Sequence, residues 1–388
     1  MTKSKQNDFA RMRRLFPITS GKSHKIYLNS ASTGPLCRPV RTALERYNNR
    51  MEVIDPQIDD DAFAALEHIR RLGARLIGAH GDEVGFGFHT GYGLNIAALG
   101  LPLKRGDEVL LADVEFPSNV YPWVALRGRG VRVTFIKSTN GFFDVDNFKR
   151  AIRKRTKVLS LSHVQFFNGY KNDLKNIGRI CQDNDIYFVV DGIQGCGVEP
   201  LNVRSCGVDI YSAGAQKWLL SPLGTGLFYV RKDLQTQLNR PFASWLGVDW
   251  KMNFSDLFHF DLPFFDSARQ FELGTYPYGH VFAMEAALEL INSLGVRSIR
   301  EHNYELLDRL IDFLQSTPYY QVTSSLRKKH RSSILSFTCP DAKTVYAALG
   351  TAGIATSFRE GAIRVSVHLF NNRADIDKLT DVLARYIQ

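Results

Sequence analysis

The chain has 388 residues, of which 44% are hydrophobic, so it is long enough for about two domains with a large buried core. The formal charge of +10 raises the question of nucleic acid, but the basic clusters are scattered and no zinc finger, basic zipper or aromatic-rich basic motif accompanies them. Five cysteines without C-x-x-C spacing, and histidines without metalloprotease spacing, predict neither disulfides nor a metal site.

The N-terminus lacks the apolar region of a signal peptide, and no segment approaches the roughly 18 apolar residues that would span a bilayer. We therefore expect a cytoplasmic protein that contacts neither membranes nor nucleic acid.

Short β-rich segments alternate with helical ones between residues 84 and 230. Continuous apolar runs such as YFVV suit a sheet that is buried on both faces, which favours an α/β fold with a largely parallel sheet. Ligands in such sheets collect at the carboxyl ends of the strands. The predicted strands include 108–112, 131–136, 158–162, 186–190 and 227–230.

The C-terminal third predicts a second, smaller unit. A long helix at 278–294 and a helix at 299–315 precede strands at 333–338 and 362–368 and a last helix at 375–388. A smaller α+β domain is the simplest account. We assign residues 22–290 to a large domain and residues 1–21 plus 291–388 to a small one, on which residues 11–16 pack.

Two neighbouring strands end in residues of opposite charge. The run YFVV leads into Asp191, and the next strand leads through A-G-A-Q into Lys217. Either residue alone is more typical of a structural or solvated position. Together they suit pyridoxal chemistry, in which a partly desolvated lysine forms a Schiff base and a carboxylate keeps the ring nitrogen protonated.

Two further segments complete this hypothesis. The turn H-T-G-Y-G-L-N, which contains Thr90 and Gly91, precedes a helical run and could bind phosphate at a helix N-terminus, although the motif by itself is weak. Phe116 follows another predicted strand and could stack on a planar cofactor, with a core position as the alternative.

These segments together resemble the class V aminotransferase family of fold-type I pyridoxal phosphate enzymes, which includes cysteine desulfurases. The resemblance runs from Y-L-N-S-A-S-T-G-P, with Asn29 and Ala31, through the motifs above to G-A-I-R-V-S-V-H-L-F-N. It implies a large, mostly parallel sheet of the seven-stranded type with a smaller α+β domain, and pyridoxal 5'-phosphate as the cofactor.

The resemblance also implies roles for individual residues. Lys217 would carry the cofactor as an aldimine, Asp191 would contact the pyridine nitrogen, and Arg364 would grip the substrate carboxylate. Thr275 would reach the phosphate of a neighbouring subunit, which implies a homodimer with shared sites. Further cofactor-binding positions are Thr90, Gly91, Phe116, Gln194 near the phenolic oxygen, Gly214 and Gln216, and further substrate-binding positions are Asn29 and Ala31.

The chain departs from the desulfurase pattern in several places. Phe116 replaces an imidazole, Gln216 replaces a histidine before the lysine, and Gly214 stands where a serine often helps to hold phosphate. Phe166 occupies the place of an asparagine near the ring oxygen, for which Gln165 or Asn168 could compensate. No cysteine lies between residues 353 and 364, which argues against desulfuration through an enzyme persulfide.

Transamination of an amino acid to a keto acid is therefore the leading hypothesis. Cβ elimination, for example by a carbon–sulfur lyase, and Cα epimerisation begin with the same proton removal and stay open as alternatives. A non-catalytic cofactor-binding regulator is a distant third hypothesis.

Overall fold

The computed structural model of the protein describes residues 3–20, 25–251, 253 and 255–387. Residues 1, 2, 21–24, 252 and 254 of the predicted domain ranges, and Gln388 of the predicted last helix, lie outside the described residues. The helices are α1 (Lys3–Arg13), α2 (Arg38–Glu52), α3 (Ile58–Ile77), α4 (Thr90–Gly100), α5 (Tyr121–Val124), α6 (Val145–Ala151), α7 (Leu174–Asp183), α8 (Tyr278–Leu294), α9 (Val296–Gln315), α10 (Ala342–Thr351) and α11 (Arg373–Leu383).

The strands form three sheets. They are β1 (Ile26–Tyr27), β2 (Val84–Gly87), β3 (Glu108–Ala112), β4 (Arg132–Ile136), β5 (Thr156–Ser162), β6 (Tyr187–Asp191), β7 (Ile210–Gly214), β8 (Gly226–Val230), β9 (Gln321–Val322), β10 (Ile334–Thr338), β11 (Ile354–Ala355), β12 (Ser357–Arg359) and β13 (Ala362–Ser366).

The largest sheet has seven strands in the order β2-β8-β7-β6-β5-β3-β4. Strand β8 runs antiparallel to both of its neighbours, and all other adjacent pairs are parallel. The expectation of a large, mostly parallel seven-stranded sheet is confirmed.

Apolar side chains cover both faces of this sheet. Because successive strand residues point to opposite faces, Phe188 and Val190 pack into one core while Val189 packs into the other. The continuous apolar run of β6 therefore reflects burial on both sides, as the sequence predicts.

A four-stranded antiparallel sheet, in the order β12-β13-β10-β9, has a core of its own that includes Leu306, Phe337 and Leu379. Helix α1 packs beside this core, where Arg13 forms a 2.7 Å ion pair with Asp375. Strand β1 pairs in parallel with β11, so the segment that follows α1 joins this part of the chain too. The exact domain boundaries stay a prediction.

Three helices have boundaries that differ from the sequence expectation, among them α9, which begins at Val296 and not at residue 299. Helix α4 already begins at Thr90, so the glycine-containing motif is its first turn and not a loop before it. Helix α11 begins at Arg373 because Asn372 and Asp375 cap each other's backbone amides, and its α-helical part ends at Leu383. No described helix is long and apolar enough to cross a membrane.

Candidate active site

The candidate site lies at the carboxyl edge of the seven-stranded sheet. Strand β6 ends at Asp191, β7 ends at Gly214 three residues before Lys217, and β2 ends at Gly87 shortly before the start of α4. Because these strands are parallel to one another, their carboxyl ends bring the polar residues that follow them to one edge.

Asp191 is a buried carboxylate without a cationic partner. Its side chain is 2% exposed and accepts a 3.0 Å hydrogen bond from the amide of Ile193. No described lysine, arginine or histidine lies within 4.0 Å of it. Burial raises the pKa of Asp191, and the nearby carboxyl of Glu115 raises it further, whereas Ile193 and Lys217 lower it. A buried carboxylate that lacks a cationic partner would be stabilised by a protonated ring nitrogen beside it.

Lys217 is half-buried at the same edge. Burial lowers the pKa of its ammonium to about 8, with the charges of Arg364 and Arg359 contributing in the same direction and Asp191 opposing them. Its Nζ lies 5.7 Å from the ring centroid of Phe116. A larger neutral fraction at physiological pH makes this amine a better nucleophile toward an aldehyde.

The first turn of α4 offers an anion site. The Oγ of Thr90 accepts a 2.9 Å hydrogen bond from the amide of Gly214, which leaves the hydroxyl hydrogen of Thr90 free to donate. The Oγ of Ser212 donates to the carbonyl oxygen of Thr90 at 2.7 Å. The first amides of a helix, here those of Thr90 and Gly91, lack intrahelical acceptors and attract anions.

The side chain of Gln216 folds over Gly214 beside this turn. A Cβ atom at position 214 would lie 2.5 Å from Gln216 Oε1 and 3.3 Å from Thr90 Oγ, so a residue larger than glycine would crowd both groups. The Oε1 atom of Gln216 is buried without a hydrogen-bond partner. This oxygen can only accept, so in a site that takes a phosphate group the Nε2 of the same amide would have to be the donor to the anion.

Gln194 is held in place from two sides. Its Oε1 accepts a 2.8 Å hydrogen bond from the indole of Trp218, and its Nε2 donates to the carbonyl oxygen of Ala31 at 3.1 Å. One N–H of Gln194 remains to donate to a ligand oxygen. Gln194 thus connects the segment of Asn29 and Ala31 to the residue that follows the lysine.

Arg364 is 2% exposed in the middle of β13. Its Nε donates to Ser357 Oγ at 3.0 Å, one Nη donates to Ser32 Oγ at 2.9 Å, and the other donates to the carbonyl oxygen of Phe166. Ser32 donates in turn to Asn29 Oδ1 at 2.8 Å. Burial and the charge of Arg359 lower the pKa of Arg364 to about 10. All three partners are neutral, so two N–H groups and the full charge remain for an anion.

Two phenylalanines border the site. The rings of Phe116 and Phe166 meet edge to face at 5.2 Å between centroids, and Phe116 is 40% exposed, which leaves room for a planar ligand. The amide nitrogens of Gln165 and Asn168, which could replace the missing asparagine, each donate to another protein group, while the Oε1 of Gln165 has no partner among the described residues. Gln165 donates to Glu115, and Asn168 donates to the carbonyl oxygen of Gly141.

Sequence reasoning missed the residues that support this site. Glu115 is buried and accepts hydrogen bonds from Asn119, Ser162 and Gln165, which fixes the loop that carries Phe116. Its place directly before Phe116 was the available signal. Ser32 and Ser357 fall in segments 29–34 and 357–361, which the sequence suggests as lining of the substrate pocket, but their individual roles had no signal, and Ser212 had none at all.

Thr275 is exposed in the single chain and makes no hydrogen bond to Thr90 or Gly91 among the described residues. The prediction that it serves a neighbouring subunit is therefore untested.

The described arrangement fits a planar, anionic aldehyde with a basic ring nitrogen. A partly desolvated lysine, a buried carboxylate without a described cationic partner, an aromatic face and the N-terminus of α4 converge on one edge. These are the groups that pyridoxal 5'-phosphate requires.

The chain is similar to known proteins over nearly its whole length. A probable cysteine desulfurase of Methanothermobacter thermautotrophicus is 28% identical over 92% of this chain and 94% of its own length. An uncharacterized aminotransferase of Bacillus subtilis is 27% identical over 96% of both chains. The solved structure of a cystine C–S lyase in complex with cysteine persulfide superimposes with a TM-score of 0.85 and 21% identity, covering 95% of this chain and 99% of the other.

The model of the class-V aminotransferase family matches residues 26–379, nearly the whole chain. The protein therefore belongs to the class-V aminotransferase family, and it is an enzyme whose cofactor is pyridoxal 5'-phosphate.

Proposed function

We propose that the protein is an amino-acid aminotransferase in which Lys217 carries the cofactor and moves the substrate proton. The observation that carries the proposal is that, of Lys217 and the aromatic residue beside it, only Lys217 can transfer a proton. Lys217 has a lowered pKa, and the ring that lies 5.7 Å from its Nζ belongs to Phe116, which cannot carry a proton. A single amine that takes and returns a proton is sufficient for transamination.

The remaining residues would bind and orient. When bound, the cofactor supplies an aldehyde carbon and a ring that accepts electron density from the substrate Cα. Asp191 would hold a proton at the ring nitrogen, and Gln194 would donate to the ring oxygen. Thr90, Gly91 and Gln216 would hold the phosphate, while Phe116 covers the ring.

Arg364 would set the position of the substrate. With its α-carboxylate on the two free N–H groups of this guanidinium, an amino acid would be fixed by a planar, charge-assisted contact. The Nζ of Lys217 would then take the proton from the substrate Cα and return it to the neighbouring carbon of the cofactor.

The hairpin next to Arg364 argues against a persulfide relay. Strands β12 and β13 are joined by the two residues Glu360 and Gly361, and neither they nor the flanking strands contain cysteine. The five cysteines of the chain are buried or half-buried elsewhere. The proposal thus differs from the desulfurase activity named for several relatives.

A carbon–sulfur lyase is the second candidate. Elimination begins with the same proton removal by Lys217. The cystine C–S lyase shares this fold, and its name supports elimination as a second candidate reaction. Recovery of the amino acid as a mixture of both configurations at Cα would indicate epimerisation instead.

Absorption spectroscopy and product analysis test the proposal. Wild-type protein is expected to show a visible imine band that borohydride traps on Lys217, and Lys217→Ala is expected to lack it, with Lys343→Ala as a control at an exposed lysine. Amino acids should bleach the band and yield keto acid without ammonia. Pyruvate with ammonia would establish elimination, and an unchanged band in Lys217→Ala would refute the assigned lysine.

A further inference from the structure

The hairpin that carries Arg364 has a fixed register. Ser357 lies opposite Arg364, and Arg359 lies opposite Ala362. Glu360 and Gly361 connect the strands with φ angles of +46° and +78°. Two successive left-handed residues are typical of a type I′ turn, which matches the twist of the two strands and defines their pairing. The orientation of Arg359 therefore follows from the strand geometry.

Arg359 shares a sheet face with the substrate-binding groups. Residues two apart in a strand point to the same side, so Arg359 lies on the side of Ser357. Ser357 is on the side of Arg364, because its Oγ accepts the 3.0 Å hydrogen bond from Arg364 Nε. Arg359 is thus a diagonal neighbour of Arg364, within the reach of two long side chains.

The electrostatics of the site agree with this placement. Burial is the main cause of the lowered pKa of Arg364, and the charge of Arg359 is the second cause. The same charge also lowers the pKa of Lys217. One exposed guanidinium therefore acts on both the lysine and the arginine of the candidate site.

No acid neutralises Arg359. It is exposed, its Nη1 donates to the carbonyl oxygen of Phe358 at 2.9 Å, and no described carboxylate lies within 4.0 Å. Other exposed arginines of the same part of the chain are paired, Arg309 with Asp377 and Arg373 with Glu305. The face of β12 and β13 toward the site thus carries two guanidinium groups without a carboxylate partner.

We propose that Arg359 is a second anion-binding residue and that the substrate is a dicarboxylic amino acid. The inference rests on the proposed function, in which Arg364 takes the α-carboxylate. A carboxylate at the end of a short side chain would then meet Arg359 at the mouth of the site. The alternative is a solvated arginine at a hairpin tip, without any effect on ligand choice.

Binding of unreactive acids tests the inference without turnover. Calorimetric titration of the holoenzyme with glutarate and with butyrate compares a dicarboxylate with a monocarboxylate of similar length. Glutarate is expected to bind about tenfold more tightly than butyrate to wild type, and Arg359→Gln is expected to remove this advantage by weakening glutarate more than butyrate. Arg385→Gln, at an exposed arginine on the C-terminal segment, should behave like wild type.

Kinetics separate failure of the inference from failure of the proposed function. We expect Arg359→Gln to lower kcat/KM for glutamate or aspartate about tenfold more than it lowers that for alanine, because only the dicarboxylic substrates lose a direct partner. Equal preference in wild type and variant, with normal reaction of neutral amino acids, would overturn the role of Arg359 alone. Failure of every amino acid to react with the holoenzyme would overturn the proposed function, and the glutarate titration would still decide whether Arg359 binds anions.

Discussion

At the scale of single residues, the candidate site depends on N–H groups that make no hydrogen bond within the described part of the protein. Arg364 uses three of its five N–H groups on Ser32, Ser357 and the carbonyl oxygen of Phe166, and these contacts fix the plane of the guanidinium. The position of the two remaining donors is therefore set before any ligand arrives, which lowers the entropic cost of binding.

Arg364→Lys tests this arrangement. The substitution keeps a positive charge but loses the planar fork, so we expect KM to rise and kcat/KM to fall by about 100-fold, with the imine band unchanged. Steady-state kinetics with the preferred amino acid provide the measurement. Arg373→Lys, at an exposed arginine of α11, is the control and should retain normal kinetics. A fall in kcat/KM below tenfold for Arg364→Lys would show that Arg364 contributes only its charge.

Local sequence patterns could predict Asp191 and Lys217, because Asp191 ends the apolar strand β6 and Lys217 lies three residues after the end of β7. The supporting serines could not be predicted in this way. Ser32 and Ser357 are more than 300 residues apart and meet at Arg364 only through the pairing of β12 with β13 and of Asn29 with Ser366. Long-range register determines such contacts, and single-residue properties do not report it.

At the scale of elements, a buried ion pair holds the segment before Thr275 against the large sheet. Glu272 accepts hydrogen bonds from Arg70 of α3, from the amide of Phe86 in β2 at 2.9 Å, and from the hydroxyl of Tyr276. The carboxylate of Glu272 is fully buried. The network thus joins a helix, a strand and the loop of Thr275.

Glu272→Gln should strongly destabilise the fold, because it leaves the guanidinium of Arg70 buried without its main counter-charge. We expect the free energy of unfolding to fall by about 3–5 kcal/mol in urea denaturation. Glu67→Gln removes the exposed partner of the same arginine and should cost less than about 1 kcal/mol. Similar losses for both variants would contradict the assignment of the energy to the buried contact.

The sequence predicts which helices and strands form more accurately than it predicts where they begin and end. Strand β3 and helix α8 have the predicted boundaries, since periodic apolar residues and a closing glycine mark them. Helix α4 begins earlier than the sequence predicts, because its two early glycines are typical of a turn. Helix packing against β7 and β8 stabilises these glycines in helical conformation, and this tertiary contribution is not visible in a local pattern.

At the scale of the whole molecule, His368 connects the four-stranded sheet to the lysine segment. Its Nε2 lies 2.9 Å from the carbonyl oxygen of Trp218, and its Nδ1 accepts a 2.8 Å hydrogen bond from the amide of Leu369. This pattern requires a neutral imidazole with the proton on Nε2. Burial lowers the pKa of His368 to about 4.

This imidazole should make the fold sensitive to acid. Because the folded pKa lies below the unfolded value, the stabilisation is fully present above about pH 6.5 and declines as the pH falls toward 4. Between pH 7 and 5 we expect His368 to account for a loss of about 2 kcal/mol. Urea denaturation of wild type and His368→Gln at both pH values measures it. The stability gap between the two proteins should narrow toward pH 5, and a constant gap would exclude His368 as the cause.

The homodimer with shared sites stays a prediction, which complementation can test. Sedimentation equilibrium should give twice the chain mass of 43.9 kDa. Lys217→Ala and Thr275→Ala should each be impaired at limiting cofactor. After subunit exchange, half of the dimers are mixed and contain one intact site, so about a quarter of wild-type activity should return. No recovery would place Thr275 outside the partner's site.

The main chain on both sides of Lys217 is anchored to segments outside the large sheet. The carbonyl oxygen of Gln216 accepts a 2.8 Å hydrogen bond from the amide of Gly34, and that of Trp218 accepts the bond from His368. Delivery of the proton thus needs only rotations about the side-chain bonds of the lysine, which occur within nanoseconds. Reorganisation of the enzyme would contribute little to turnover time, so we expect exchange of substrate and product, or bond breaking itself, to set the rate.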